Sequence, residues 1–83
     1  MKTYTIISHH RGRETEYTGT VEELTKKFSY TLECGRSWQN QKGCKKVNTA
    51  PKTIKQLLTA LSNAVYNTQS SCYDPDYYTL KEG

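Results

Sequence analysis

Side chains able to do chemistry are few in this chain of 83 residues, and they are thinly spread. His9 and His10 stand beside Arg11 and Arg13, a combination that can supply acid, base and anion-holding charge for a ribonuclease-like reaction. Neighbouring strand residues point to opposite faces, so the pair does not converge on one substrate. Ser70, Ser71 and Cys72 are nucleophile types with no adjacent base. Asp74 and Asp76 flank Pro75 with too few ligands for a calcium loop and read as turn residues. Cys34, Cys44 and Cys72 offer three thiolates to zinc, with His9 or His10 as a fourth ligand. Their separations of ten and twenty-eight residues contain no C-x₂₋₄-C knuckle, and free thiols are the expectation. A Cys34 to Cys44 disulfide is the pairing that oxidation after purification would favour. The glycines are scattered singly, so there is no phosphate-cradling loop. These residues point to no catalytic centre, no metal and no cofactor, hence to a protein that is not an enzyme.

The arrangement of charge carries more information than the net +4. Every acid lies at or before Glu33 or at or after Asp74. The segment from Cys34 to Tyr73 holds Arg36, Lys42, Lys45, Lys46, Lys52 and Lys55 and no acid, a formal +6 against −2 for the remainder. Such asymmetry within one small domain produces a one-sided positive field. Trp38 sits among these cations, either as an exposed anchor for an interface or for base stacking, or folded back as a lid on the core. A solvated, solubilising face is the plainer reading of the lysines. Together they form the candidate partner-binding set. Tyr73, Asp74, Asp76 and Tyr77 form an acidic, aromatic counterpart. It reads as edge-strand tyrosines with an Asp-Pro turn, or as a secondary contact patch.

The elements that must position these groups follow from periodicity. Lys2 to His9 alternates β-branched and aromatic residues and reads as a strand. Gly12 permits a tight turn, and Glu14 to Thr18 resumes the alternation, giving a hairpin. Thr20 with Glu23 three residues on forms a capping box for a helix whose apolar face is Val21, Leu24, Phe28 and Thr31 or Leu32. Gly35 is the expected stop, in the left-handed position after the helix. Residues 36–50 lack periodicity and read as a long basic loop, of a length that is usually functional or mobile. Pro51 is expected to open a second helix reaching Thr68, with the stripe Ile54, Leu57, Leu58, Leu61, Ala64 and Val65. Asp76 to Lys81 alternates again as a last strand.

The order β-β-α-α-β predicts an α+β fold: a small three-stranded, mostly antiparallel sheet with two helices on one face. A chain of this length buries only about two thirds of its unfolded surface, so a single domain spanning 1–83 with a shallow working face is expected. Hydrophobic residues are 34% of the chain, and seven Tyr make an amphipathic contribution to the core. Apolar runs of two or three residues cannot span a bilayer, and no apolar signal core follows Met1; a cytoplasmic protein without a membrane partner is expected.

Gly19 to Leu24, Phe28 to Gly35, Pro51 to Lys55 and Ser71 to Tyr73, ahead of Asp76-Tyr77-Tyr78, together resemble small accessory proteins of bacteriophages and mobile elements. The resemblance covers most of the chain and carries no active-site motif. It implies an accessory or counter-defence factor of the anti-CRISPR kind, which binds a host protein or nucleoprotein complex stoichiometrically in the host cytoplasm. Direct nucleic-acid binding by the basic segment 36–55 is the alternative.

Overall fold

The computed structural model describes residues 2–68 and 77–81. β1 (Tyr4–His10) and β2 (Arg13–Gly19) form an antiparallel hairpin with Ile6 opposite Tyr17. Its two-residue loop, Arg11-Gly12, has φ of 50° and 80°. Two positive values make a type I′ turn, whose twist matches that of the strands; Gly12 adopts it without a Cβ penalty. β3 (Tyr77–Lys81) pairs antiparallel with the other edge of β1, giving the order β2-β1-β3. The chain is therefore an α+β fold with one open, antiparallel sheet.

The capping box forms as its sequence implies. The Glu23 amide donates to the Thr20 hydroxyl at 3.2 Å, and the Thr20 amide donates to Glu23 Oε1 at 3.0 Å. The helix that follows is not the single rod expected from the periodicity. α1 (Val21–Lys27) bends at Phe28 into α2 (Ser29–Ser37). The bend keeps its hydrogen bonds, with the Phe28 amide on Leu24 O and the Leu32 amide on Phe28 O, both 3.0 Å. Phe28 is buried and meets Tyr17 and Tyr78 edge-on, at centroid distances of 5.0 and 5.3 Å. Its contacts anchor the turn over the sheet, so α1 stays against β2 while α2 swings onto α3 (Ile54–Thr68).

Two expected boundaries are corrected. Gly35 does not terminate the helix in a left-handed conformation: it lies inside α2, buried, and its φ is not positive. A Cβ at Gly35 would stand 2.3 Å from Ala64 Cβ and 2.4 Å from Ala64 Cα, so glycine is there to let two helices touch. Pro51 does not open α3. It is buried ahead of Thr53, whose hydroxyl accepts from the Gln56 amide at 3.1 Å and whose carbonyl accepts from the Leu57 amide at 3.0 Å. A threonine oxygen satisfies a free amide of the first turn, which Pro51, set further back, does not reach.

The core lies between the sheet and the helices: Ile6, Leu24, Phe28, Leu32, Val47, Ile54, Leu57, Ala60, Leu61 and Ala64. Tyr4, Tyr17, Val21 and Tyr78 pack at its margin. Leu58, expected on the central stripe, is also marginal, and Ala60 takes the place beside Leu57 and Leu61. Strand alternation turns the other sheet face, with Thr5, Ile7, His9, Glu14, Glu16, Tyr77 and Lys81, away from the helices.

Candidate binding face

Residues 38–50 carry no helix or strand, as expected of a loop, while Arg36 and Ser37 complete α2; the loop is a strap held by backbone and side-chain hydrogen bonds. The chain leaves α2 through successive i to i+3 turns: the Trp38 amide on Gly35 O, Gln39 on Arg36 O, Gln41 on Trp38 O and Cys44 on Gln41 O, at 2.9 to 3.2 Å. Gly43 has φ 85° in the last of them, the position a type II turn reserves for glycine, and Lys42 is exposed beside it. The strap then runs back along α3 and buries Val47.

Asn67 holds it there. This buried side chain accepts from the Lys45 amide at 2.8 Å and donates to Lys45 O at 2.7 Å, copying the pairing of a neighbouring strand. Its second N–H donates to Gly35 O at 3.0 Å, so one amide ties α3, the strap and the end of α2 together. One turn earlier, Asn63 Nδ2 donates to Lys46 O at 3.1 Å. From the other side, Gln39 Oε1 accepts from the Val47 amide at 3.2 Å. In the sequence Asn67 is inconspicuous. Its signal was a polar residue at the position that continues the apolar stripe of α3 three residues after Ala64.

The seven candidate residues all sit on this frame and are all exposed. Arg36 and Trp38 mark the end of α2, and Trp38 is 51% exposed, which decides between lid and anchor in favour of the exposed side chain. Lys46 and Lys55 line one groove from opposite elements, together with Asn48, Gln56, Thr59, Ala60 and Asn63. Lys45 lies over the Tyr66 ring at 4.6 Å from its centroid, and Tyr66 is itself 55% exposed. The Lys52 amide is held by Gln56 Oε1 at 2.8 Å, at the α3 end of the strap. Among the described residues, Arg36 alone of the six cations has a carboxylate at ion-pair distance, Glu33 at 3.5 Å.

Of the second patch, Tyr73, Asp74 and Asp76 lie outside the described residues. Tyr77 is on β3, on the open sheet face, stacked on His9 at 4.2 Å. His9 also approaches Glu14 at 3.5 Å and Thr79 Oγ1 at 2.9 Å. Strand alternation carries His10 to the opposite face, so the two imidazoles do not share a substrate position. Cys34 and Cys44 are free and half-buried; Cys72 lies outside the described residues, as do Ser70 and Ser71. Among the described residues no group of three His, Cys, Asp or Glu side chains is placed to hold a metal ion, and no helix is long and apolar enough to cross a membrane. Compared with protein-family models, with curated proteins and with solved structures, the chain matches none.

Proposed function

We propose that the chain is a non-enzymatic binding protein, a phage-type inhibitor or modulator that docks stoichiometrically on a host defence or nucleic-acid-processing complex. The observation that carries this reading is the basic face: five lysines without a carboxylate partner among the described residues, mounted on ordered backbone beside exposed Trp38 and Tyr66. Cations without a carboxylate partner among the described residues favour an acidic, acceptor-rich partner, and a half-exposed tryptophan supplies the apolar anchor of an interface. Inhibition by docking needs surface complementarity and no reacting group.

Capture from a bacterial lysate that contains an active nucleic-acid-targeting defence tests it. Wild type is expected to retain components of that complex, and a Trp38→Ala, Lys45→Ala, Lys46→Ala variant to lose them. Equal recovery by both would overturn the proposed surface.

A second reading, direct contact with nucleic acid, is favoured by the groove, which brings Lys46 and Lys55 together from facing elements. An electrophoretic shift of single-stranded oligonucleotide at low salt, abolished as salt rises, is its expected signature.

A further inference from the structure

The groove between the strap and α3 has a volume of about 250 Å³ and chemistry that the fold does not use. Asn48 Oδ1 accepts from the Ala50 amide at 2.9 Å, and Gln56 Oε1 accepts from the Lys52 amide at 2.8 Å. An amide whose oxygen is held by a backbone N–H is fixed in orientation and keeps its NH₂ for a ligand, alongside the second lone pair of the oxygen. Lys46 and Lys55 can only donate, and neither has a carboxylate partner among the described residues. Asn63 spends an N–H on Lys46 O and keeps its amide oxygen, and the Thr59 hydroxyl can donate or accept. Two ammonium groups in a lining that holds no carboxylate repel a cation and suit an anion rich in acceptor oxygens, to which the neighbouring amide NH₂ groups can also donate.

Tyr66 makes the choice narrower. Gln56, Thr59, Asn63 and Tyr66 follow one another at helical spacing, so the exposed ring continues the groove's own stripe one turn further along α3. A cation-lined groove that leads to an exposed aromatic ring is the arrangement by which single strands are held, the groove on the backbone and the ring on a base. Duplex binding gives such a ring no base to stack on.

We propose that this groove is a phosphodiester subsite for single-stranded nucleic acid. Lys46 and Lys55 neutralise the backbone, Asn48 and Gln56 donate to non-bridging oxygens, and Tyr66 stacks on an adjoining base as Lys45, which lies over that ring at 4.6 Å in the free chain, moves aside. This rests on the nucleic-acid reading above and specifies where on the basic face that contact is made.

The test is fluorescence anisotropy of a labelled oligothymidylate against the full chain over a range of salt. Wild type is compared with Lys46→Gln/Lys55→Gln, with Lys26→Gln/Lys27→Gln, which removes the same charge from α1, and with Tyr66→Ala. The groove variant is expected to weaken binding about ten-fold or more and to flatten the dependence of log affinity on log salt by about 0.7 for each phosphate it no longer neutralises. Tyr66→Ala is expected to weaken it about five-fold or more. The α1 variant should differ little from wild type, and thermal midpoints close to wild type establish that all variants fold. If the groove and α1 variants weaken binding equally, the subsite is overturned while the nucleic-acid reading stands. If wild type binds nothing at low salt, both fall. Duplex bound as tightly as single strand, or inorganic phosphate and tripolyphosphate bound while the oligonucleotide is not, overturns the assignment to a single strand.

Discussion

Gly35 and Ala64 meet where α2 touches α3, and the contact leaves no room for one further carbon: a Cβ would lie 2.4 Å from Ala64 Cα, a backbone atom that cannot rotate away. Gly35→Ala therefore has to push the helices apart, and overpacking of this kind costs roughly 1 to 3 kcal/mol. Urea unfolding measures it; an unchanged midpoint would contradict the close contact. Asn67 is the second residue on which the frame depends. Asn67→Ala strips its partner from the buried Gly35 carbonyl, at roughly 1 to 3 kcal/mol for a buried group left unsatisfied, and frees the part-buried Lys45 amide and carbonyl to water. Faster hydrogen exchange at Lys45 and Val47 is expected alongside the loss of stability, because the strap is released from α3. Retained protection there would show that Val47 burial holds the strap alone.

α3 contributes the largest block of buried side chains, and its centre can be located by truncation. Leu57 and Leu61 are fully buried while Leu58 is at the margin. Leu57→Ala should cost about 2 to 5 kcal/mol and Leu58→Ala clearly less, read from denaturant midpoints. Equal losses would move the buried face. At the start of α1 the capping box acts on acidity. The Thr20 amide, then the Thr20 side chain and more weakly Lys27 and Lys26, lower the Glu23 pKa below its ordinary 4.5. Its depressed value makes the sign definite: the contribution to stability is present above 4.5 and disappears as pH falls through the lowered folded value. A Glu23→Gln variant should lose less stability than wild type on acidification below 4.5. Parallel acid titrations of the two would contradict the cap's role. Capping and stripe were both legible in the chain because they depend on neighbours one or two turns away. The bend at Phe28 was not, since the ring's partners, Tyr17 and Tyr78, come from distant strands.

Across the molecule, the acids keep away from the strap and α3. Glu14 and Glu16 lie on the open sheet face, with Lys81 paired to Glu16 at 2.9 Å, while the strap and α3 carry lysines with no acid among them. Like charges gathered on one face repel, and salt screens them over about 10 Å at 0.1 M. Raising salt should therefore raise the thermal midpoint by roughly 2 °C, on a scale where 1 kcal/mol shifts a domain of this size by about 4 to 8 °C. A midpoint that falls with salt would mean that the lysines lean on acids and do not chiefly repel one another.

The sequence by itself determined the element order, the hairpin turn, the helix cap and the acid-free basic segment. Each is written in residues close along the chain or in plain composition. Only the tertiary structure decided that the segment is a strap, that Gly35 is a packing position, and that Lys46 and Lys55 share a groove. Those facts depend on Asn63, Asn67 and Ala64 meeting residues 17 to 32 positions away. A side-chain amide reads the same in sequence whether it faces water or holds two elements together; burial and partners separate the two, and packing alone supplies them.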